Sequence, residues 1–169
     1  MELQTARLRM RSLRKSDVDP YSQIVADTRT VAYLGDGQPH SRSQANAYIA
    51  DCIARENSTG ITRFAIELRE TEEFIGFSGF KEISGWIDFG YRFSPEYWGK
   101  GYATEAGAAA IKFGWDQLHL DEVVAGVAPK NFASLGVLTK LGFQPQNCPN
   151  GLDRSYKWFG LRRPTIANL

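Results

Sequence analysis

The stretch Ser94-Pro-Glu-Tyr-Trp-Gly-Lys-Gly-Tyr-Ala-Thr-Glu-Ala-Gly-Ala-Ala-Ala-Ile-Lys-Phe-Gly114 reads as a turn that opens a helix, and it directly follows a strand, Trp86-Ile-Asp-Phe-Gly-Tyr-Arg-Phe93. Aromatic and branched residues suit that strand, and Pro95 closes it. Gly99 and Gly101 flank Lys100, so the backbone there can take positive φ and come close to a ligand with no Cβ in the way. A helix from about Tyr102 leaves its first-turn amides unpaired. With the helix dipole they form a seat for an anion such as a pyrophosphate. Ala103, Ala106, Ala110 and Phe113 recur at helical spacing, and small side chains let the helix lie close against a sheet. Any tight strand-to-helix turn uses the same glycines, so the loop alone is a weak signal. The loop lacks the third glycine of the dinucleotide fingerprint, and the chain has no Gly-x4-Gly-Lys-Ser/Thr run. NAD chemistry and nucleotide hydrolysis lose ground accordingly.

Around this centre the chain changes period several times. Leu8 to Ser12 alternates apolar and polar residues as a half-buried strand does. Ser16 is the expected N-cap of a first helix with acids in its first turn, fading by about Thr28. Tyr33 to Pro39 is a turn-rich loop. Ser41-Arg-Ser-Gln44 fits a capping box for a second helix, whose apolar face is Ala45, Tyr48, Ile49, Cys52 and Ile53. Phe64 to Leu68 and Phe74 to Phe80 read as a hairpin, and a turn near Ser84-Gly85 leads into the Trp86 to Phe93 strand. Glu122 to Val127 is a short β-branched strand. A helix from Asn131 to Leu141 stops at Gly142, and Ser155 to Leu161 is a final strand.

At 169 residues the chain is expected to form one domain, residues 1–169, with a core large enough to need neither disulfides nor a structural metal. Two cysteines without Cys-x2-Cys spacing read as reduced thiols in a cytoplasmic protein, and the isolated His40 and His119 argue against a metal site. The polar start Met1-Glu-Leu-Gln-Thr-Ala-Arg7 is no signal peptide, and no apolar run approaches the ~20 residues of a membrane span, so no membrane partner is expected. A net charge of +1 removes the electrostatic case for nucleic acid. The basic clusters Arg7-Leu-Arg-Met-Arg11 and Arg162-Arg163 read as a solvated strand edge and a terminal tail.

A second motif, Asn131-Phe-Ala-Ser-Leu-Gly-Val-Leu-Thr-Lys-Leu-Gly-Phe143, follows the glycine loop. The pairing of Trp-Gly-Lys-Gly-Tyr-Ala-Thr-Glu-Ala with Asn-x-x-Ser-x5-Lys-x-Gly-Phe resembles the GNAT acetyltransferase superfamily, in particular its branch of ribosomal-protein N-terminal acetyltransferases. The similarity runs from about Leu3 to Leu161. It implies an α/β fold of the α+β kind, a mixed, mostly antiparallel sheet of about six to seven strands. Helices cover both faces, and a cleft splayed after the Trp86 to Phe93 strand admits acetyl-CoA. The resemblance assigns Tyr91 and Phe93 to the pantetheine arm through their backbone, and Trp98, Gly99, Lys100, Gly101, Tyr102, Ala103 and Thr104 to the phosphates. Asn131 is assigned to the arm as well. Most of the superfamily has Arg or Gln where this chain has Trp98, whereas this branch commonly has Trp. Where many members carry a Tyr that protonates the departing thiolate, this chain has Leu138; in this branch a Ser at the position of Ser134 has been proposed for that role.

Acetyl transfer to an amine needs a neutral nitrogen, a donor for the oxyanion and a proton for the thiolate. A backbone N–H near Phe93 suits the oxyanion. Asp88 is the first candidate base, with an ion pair to Arg92 as its structural alternative, and Glu82 is the second. Trp86, Phe89 and Tyr91 are either core or tunnel lining. Glu105 is expected to favour the helix start through the dipole. For the acceptor, the Tyr33 to His40 loop offers Asp36. The expectation is transfer from acetyl-CoA, with no metal, to a protein N-terminal α-amine. A small amine, polyamine or aminoglycoside, or a non-catalytic acyl-CoA-binding role, are the alternatives, and monomer or homodimer stays open.

Overall fold

The computed structural model describes residues 1–164. In chain order the elements are β1 (Glu2–Gln4), β2 (Leu8–Arg11), α1 (Val18–Ala26), α2 (Thr28–Val31), α3 (Arg42–Thr59), β3 (Arg63–Leu68), β4 (Phe74–Ile83), β5 (Trp86–Phe93), α4 (Tyr102–Asp116), β6 (Glu122–Val127), α5 (Phe132–Lys140), β7 (Gln144–Gln146) and β8 (Lys157–Arg162). The strands form one sheet in the order β1-β2-β3-β4-β5-β6-β8-β7. Every neighbouring pair is antiparallel except β5 and β6. The eight strands are one or two more than the expected six to seven, and the additional pieces are short, β1 and β7 having three residues each, too few to show a period.

Helices cover both faces. On one, Ala106, Ala110 and Phe113 of α4 and Leu138 of α5 bury against Phe64, Phe80, Phe89 and Val123, with Phe113 edge-on to Phe64 at 5.3 Å. Gly107 and Gly114 bring α4 that close: a Cβ on Gly114 would stand 2.8 Å from the Phe80 ring. On the other face, Val18, Tyr21 and Val25 of α1 and Ala45, Ile49 and Cys52 of α3 pack on Ala65 and Phe77. Burying such side chains contributes about 1.5–3 kcal/mol each, which makes the two faces the main source of cohesion.

Local chemistry explains the boundaries. Ser41 and Gln44 exchange the two hydrogen bonds of a capping box at the start of α3, and Gly142 at φ +88° follows α5. The first helix departs from expectation. Ser16 caps nothing: it lies inside a 3-10 turn, Lys15–Asp17, and the Asp17 carboxylate accepts from the Arg14 N–H at 2.7 Å. Asp17 is placed there because it also receives the Arg11 guanidinium at 2.8 Å. The basic cluster is therefore solvated only in part, at Arg7 and Arg9 and not at Arg11. Arg11 is 5% exposed and paired with Asp17 and Glu67, Arg9 with Glu2, and Arg7 with Glu105. Nor is Arg162 a tail residue, since it ends β8 opposite Glu122.

Candidate active site

β5 meets β6 in parallel at a single registered pair, Asp88 with Val124, and beyond it the two strands part. The ladder with β4 decides what the parted edge offers. Ser94 donates to Ile75 O at 2.9 Å, so by antiparallel alternation the peptides of Arg92 and Gly90 point to β4, while those of Tyr91 and Phe93 point away from it. This leaves Tyr91 and Phe93 with peptide groups facing the opening. One of these groups is already used: the Trp98 indole N–H donates to the Phe93 carbonyl at 2.8 Å. Trp98 thereby ties the strand end to the loop that follows, a role that its identity alone did not disclose.

That loop has the geometry of an anion seat. Gly99 and Gly101 stand at φ +72° and +83°, and Gly101 is the N-cap of α4 with no side chain capping it. The first intrahelical bond inside the helix is Glu105 N–H to Gly101 O. The amides of Tyr102, Ala103 and Thr104 precede it without an intrahelical acceptor. Lys100 lies on the surface with its ammonium 5.3 Å from the Tyr97 ring centre.

Glu105 does more than complement the dipole. Its carboxylate accepts from the Thr5 hydroxyl at 2.6 Å, the Arg7 N–H at 2.9 Å and Arg7 Nε at 2.7 Å, while Arg7 Nη1 donates to the Lys100 carbonyl at 2.9 Å. Arg7 also lies over the Tyr102 ring at 4.3 Å. Partial burial raises the Glu105 pKa, but the bonds from Thr5 and Arg7 outweigh it and hold the carboxyl below its usual value. The turn between β1 and β2 thus braces the glycine loop from a hundred residues away, a contact with no local sequence signal.

On the α1/α3 face, Asp88 has a different partner from the one expected. Arg63 of β3 donates through Nη2 to Asp88 Oδ2 at 3.1 Å. Arg92 instead donates to the Tyr21 hydroxyl at 2.7 Å and lies over Phe77. The pairing with Arg92 fails on geometry, because residues four apart on one strand are separated by about 13 Å at ~3.3 Å per residue. Burial pushes the Asp88 carboxyl up, and the charges of Arg63 and Lys81 with the Gly126 N–H pull it back only in part, leaving it at about 6. Its side chain keeps 14% of its surface open. Glu82, the second candidate, is exposed on the same strand as Lys81.

Tyr91 alternates with Asp88 and faces the opposite side, toward α5. Its hydroxyl donates to the Ser134 carbonyl at 3.3 Å, and burial pushes its pKa up to about 12. Asn131 caps α5 by accepting from the Ser134 N–H at 3.1 Å. Its side-chain oxygen is therefore engaged, and its amide nitrogen is what it has for a ligand. The Ser134 hydroxyl bonds no backbone carbonyl among the described residues, unlike Thr139, which bonds back to Leu135 O. Leu138 is 1% exposed and belongs to the core. Phe89 is core too, stacked on Phe143 at 5.5 Å, whereas the Trp86 indole donates to the Asn150 carbonyl.

A cavity of about 400 Å³ opens near the end of β6, lined by Ala32, Tyr33, Gly35, Ala128, Lys130 and Tyr156, among others. Asp36 does not line it: its Oδ1 accepts from the Gln38 N–H at 3.0 Å and closes its own turn. No helix among the described residues is long and apolar enough to cross a membrane.

Comparison with known proteins agrees with this fold. A family model described as an acetyltransferase (GNAT) domain matches residues 7–144. The uncharacterized N-acetyltransferase p20 of Bacillus licheniformis is 33% identical over 162 residues, covering 92% of this chain and 86% of its own length. The crystal structure of an acetyltransferase from Agrobacterium tumefaciens superposes with a TM-score of 0.86 at 25% identity, covering 96% of this chain and 95% of that one. A ribosomal alpha-N-protein acetyltransferase in complex with coenzyme A shares the fold at a TM-score of 0.80 and 17% identity, covering 96% and 98%.

Proposed function

Because this chain belongs to the GNAT acetyltransferase family and is an acetyl-CoA-dependent N-acetyltransferase, we propose that its acceptor is a protein N-terminal α-amine. The observation that carries this reading is the charge of the cavity near the end of β6. Its lining contains Lys130 and no carboxylate. A polyamine or aminoglycoside, with several ammonium groups, would meet a like charge there and no counter-ion, whereas a chain terminus brings one amine on an extended backbone. The shared fold of the ribosomal alpha-N-protein acetyltransferase supports the same choice.

In this reading the two faces of β5 divide the chemistry. Acetyl-CoA lies along the open edge, with its phosphates on the amides from Gly99 to Thr104 and its arm on Tyr91, Phe93 and Asn131. The amine arrives from the α1/α3 side, where Asp88 takes its proton directly or through water. The C–N bond forms as the carbonyl oxygen gains charge, which the Phe93 N–H stabilises. The C–S bond then breaks, and the Ser134 hydroxyl gives the sulfur a proton that solvent restores.

The test is release of free CoA, with mass analysis of the product, across a panel of N-terminal peptides, polyamines and aminoglycosides. Peptide α-amines should exceed the polycations in kcat/KM by about tenfold or more, the scale of a like-charge penalty of ~1.4 kcal/mol. Preference for a polyamine or an aminoglycoside overturns the reading.

A further inference from the structure

Arg63, Gly79 and Gly90 stand in one row across three strands: Arg63 is opposite Gly79 on β4, and Gly79 is opposite Gly90 on β5. The side chain of Arg63 crosses this row. Its guanidinium lies over Gly90, where a Cβ would stand 2.9 Å from Nη2 and 3.4 Å from Cζ. Above it are two rings, Phe77 at 5.1 Å and Tyr48 at 5.9 Å, and the Tyr48 hydroxyl accepts from Nη1. Tyr48 is itself stacked on Tyr21 at 5.1 Å. The far end of this track is the Asp88 carboxylate. An arginine whose side chain is 11% exposed, whose buried Nε has no partner among the described residues, and which is roofed by aromatic rings has little freedom to swing.

We propose that Arg63 is a positioning residue for acyl transfer, holding Asp88 by Oδ2 so that the carboxylate stands in one orientation at the point where β5 and β6 part. This rests on the reading of Asp88 as the base. The groups that act on Asp88 are Arg63 from β3, Lys81 from β4 and the Gly126 N–H from β6, while Tyr48 and Cys52 of α3 face the Arg63 guanidinium instead. Lys81 is partly engaged by Asp51 at 3.8 Å, and Arg92 on β5 itself turns to Tyr21 of α1. Among the described residues, Arg63 is thus the one cation bonded directly to the carboxylate. A neutral side chain in its place leaves burial less opposed, so the carboxylate should give up its proton at higher pH.

The experiment compares the parent, Arg63→Met, Arg63→Lys and Asp88→Asn. Two quantities are read in each: the titration midpoint of the Asp88 carboxyl by carbon NMR, assigned through its loss in Asp88→Asn, and the acid limb of kcat/KM. In Arg63→Met both should move up together by about one pH unit or more, the usual effect of a close opposite charge, and Arg63→Lys should restore part of the shift. Should Arg63→Met fail to fold, Gly90→Ala displaces the guanidinium by its new Cβ at an ordinary backbone angle, and the same upward shift is expected. An unmoved Asp88 midpoint in the folded variant overturns the role of Arg63. A midpoint that moves while the acid limb stays overturns the base reading on which that role depends.

Discussion

In the proposed reading, Asp88 joins a structural cost to a chemical use. Its carboxyl, raised to about 6 by burial, is a better proton acceptor near neutrality than an ordinary aspartate. Asp88→Asn should therefore lower kcat/KM at neutral pH and recover part of it as the pH approaches the acceptor's own pKa. In the parent, activity should fall below about pH 6, and a profile flat through that region contradicts the base role. Stability moves the other way. A group whose folded pKa is raised stabilises the fold below its ordinary value of 3.8 and loses that contribution as the pH rises through about 6. Asp88→Asn, a mimic of the protonated form with Arg63 equally unpaired, should melt no lower than the parent at pH 7, and calorimetric melting checks it. Ser134→Ala should lower kcat by ~10²-fold with little change in CoA affinity, and a loss below threefold returns Ser134 to a plain helix residue. At this scale the sequence is legible only where partners are local. The capping of Ser134 by Asn131 spans three residues, while Arg63 reaches Asp88 across three strands and Arg7 reaches Glu105 across the fold, and no spacing rule encodes such pairs.

At the scale of elements, the strand Trp86–Phe93 and the helix beginning at Tyr102 were both readable to the residue. A β-run closed by proline and a glycine N-cap are decided by backbone chemistry within a few positions. Gly101→Val should raise the CoA dissociation constant by about tenfold or more, because a β-branched residue disfavours φ near +83° and its side chain would press on Arg7 Nη2, 3.4 Å from the Cβ position. Calorimetric titration of the folded variant decides it, and unchanged affinity removes the loop from the site. Glu105→Gln tests the brace beneath that loop. The depressed carboxyl of Glu105 stabilises the fold above its unfolded value of 4.5 and loses that contribution as the pH falls through its lower folded value. The variant should melt below the parent at pH 7, and the gap should close in acid. A gap that persists below the folded pKa of Glu105 would show that packing, rather than charge, links Thr5 and Arg7 to α4.

At the scale of the molecule, the described residues form a sheet with two apolar faces, opened between the parallel neighbours β5 and β6. In the proposed reading the acyl donor lies along the open edge of β5 and the acceptor comes from its α1/α3 side. The four longer helices and six of the strands were legible because alternation or helical periodicity runs through them, whereas α2 is a single turn, β1 and β7 borrow their extended form from the neighbours they pair with, and the placing of β8 between β6 and β7 has no local signal. The most direct test of the account is an amide NMR titration of the full chain with CoA. The account predicts the largest shifts at Tyr91, Phe93 and Gly99 to Thr104, with none confined to the separate cavity of about 360 Å³ bordered by Pro20, Ile24, Asp27 and Glu73. Saturable shifts centred on that second cavity, with Gly99 to Thr104 unmoved, would contradict it.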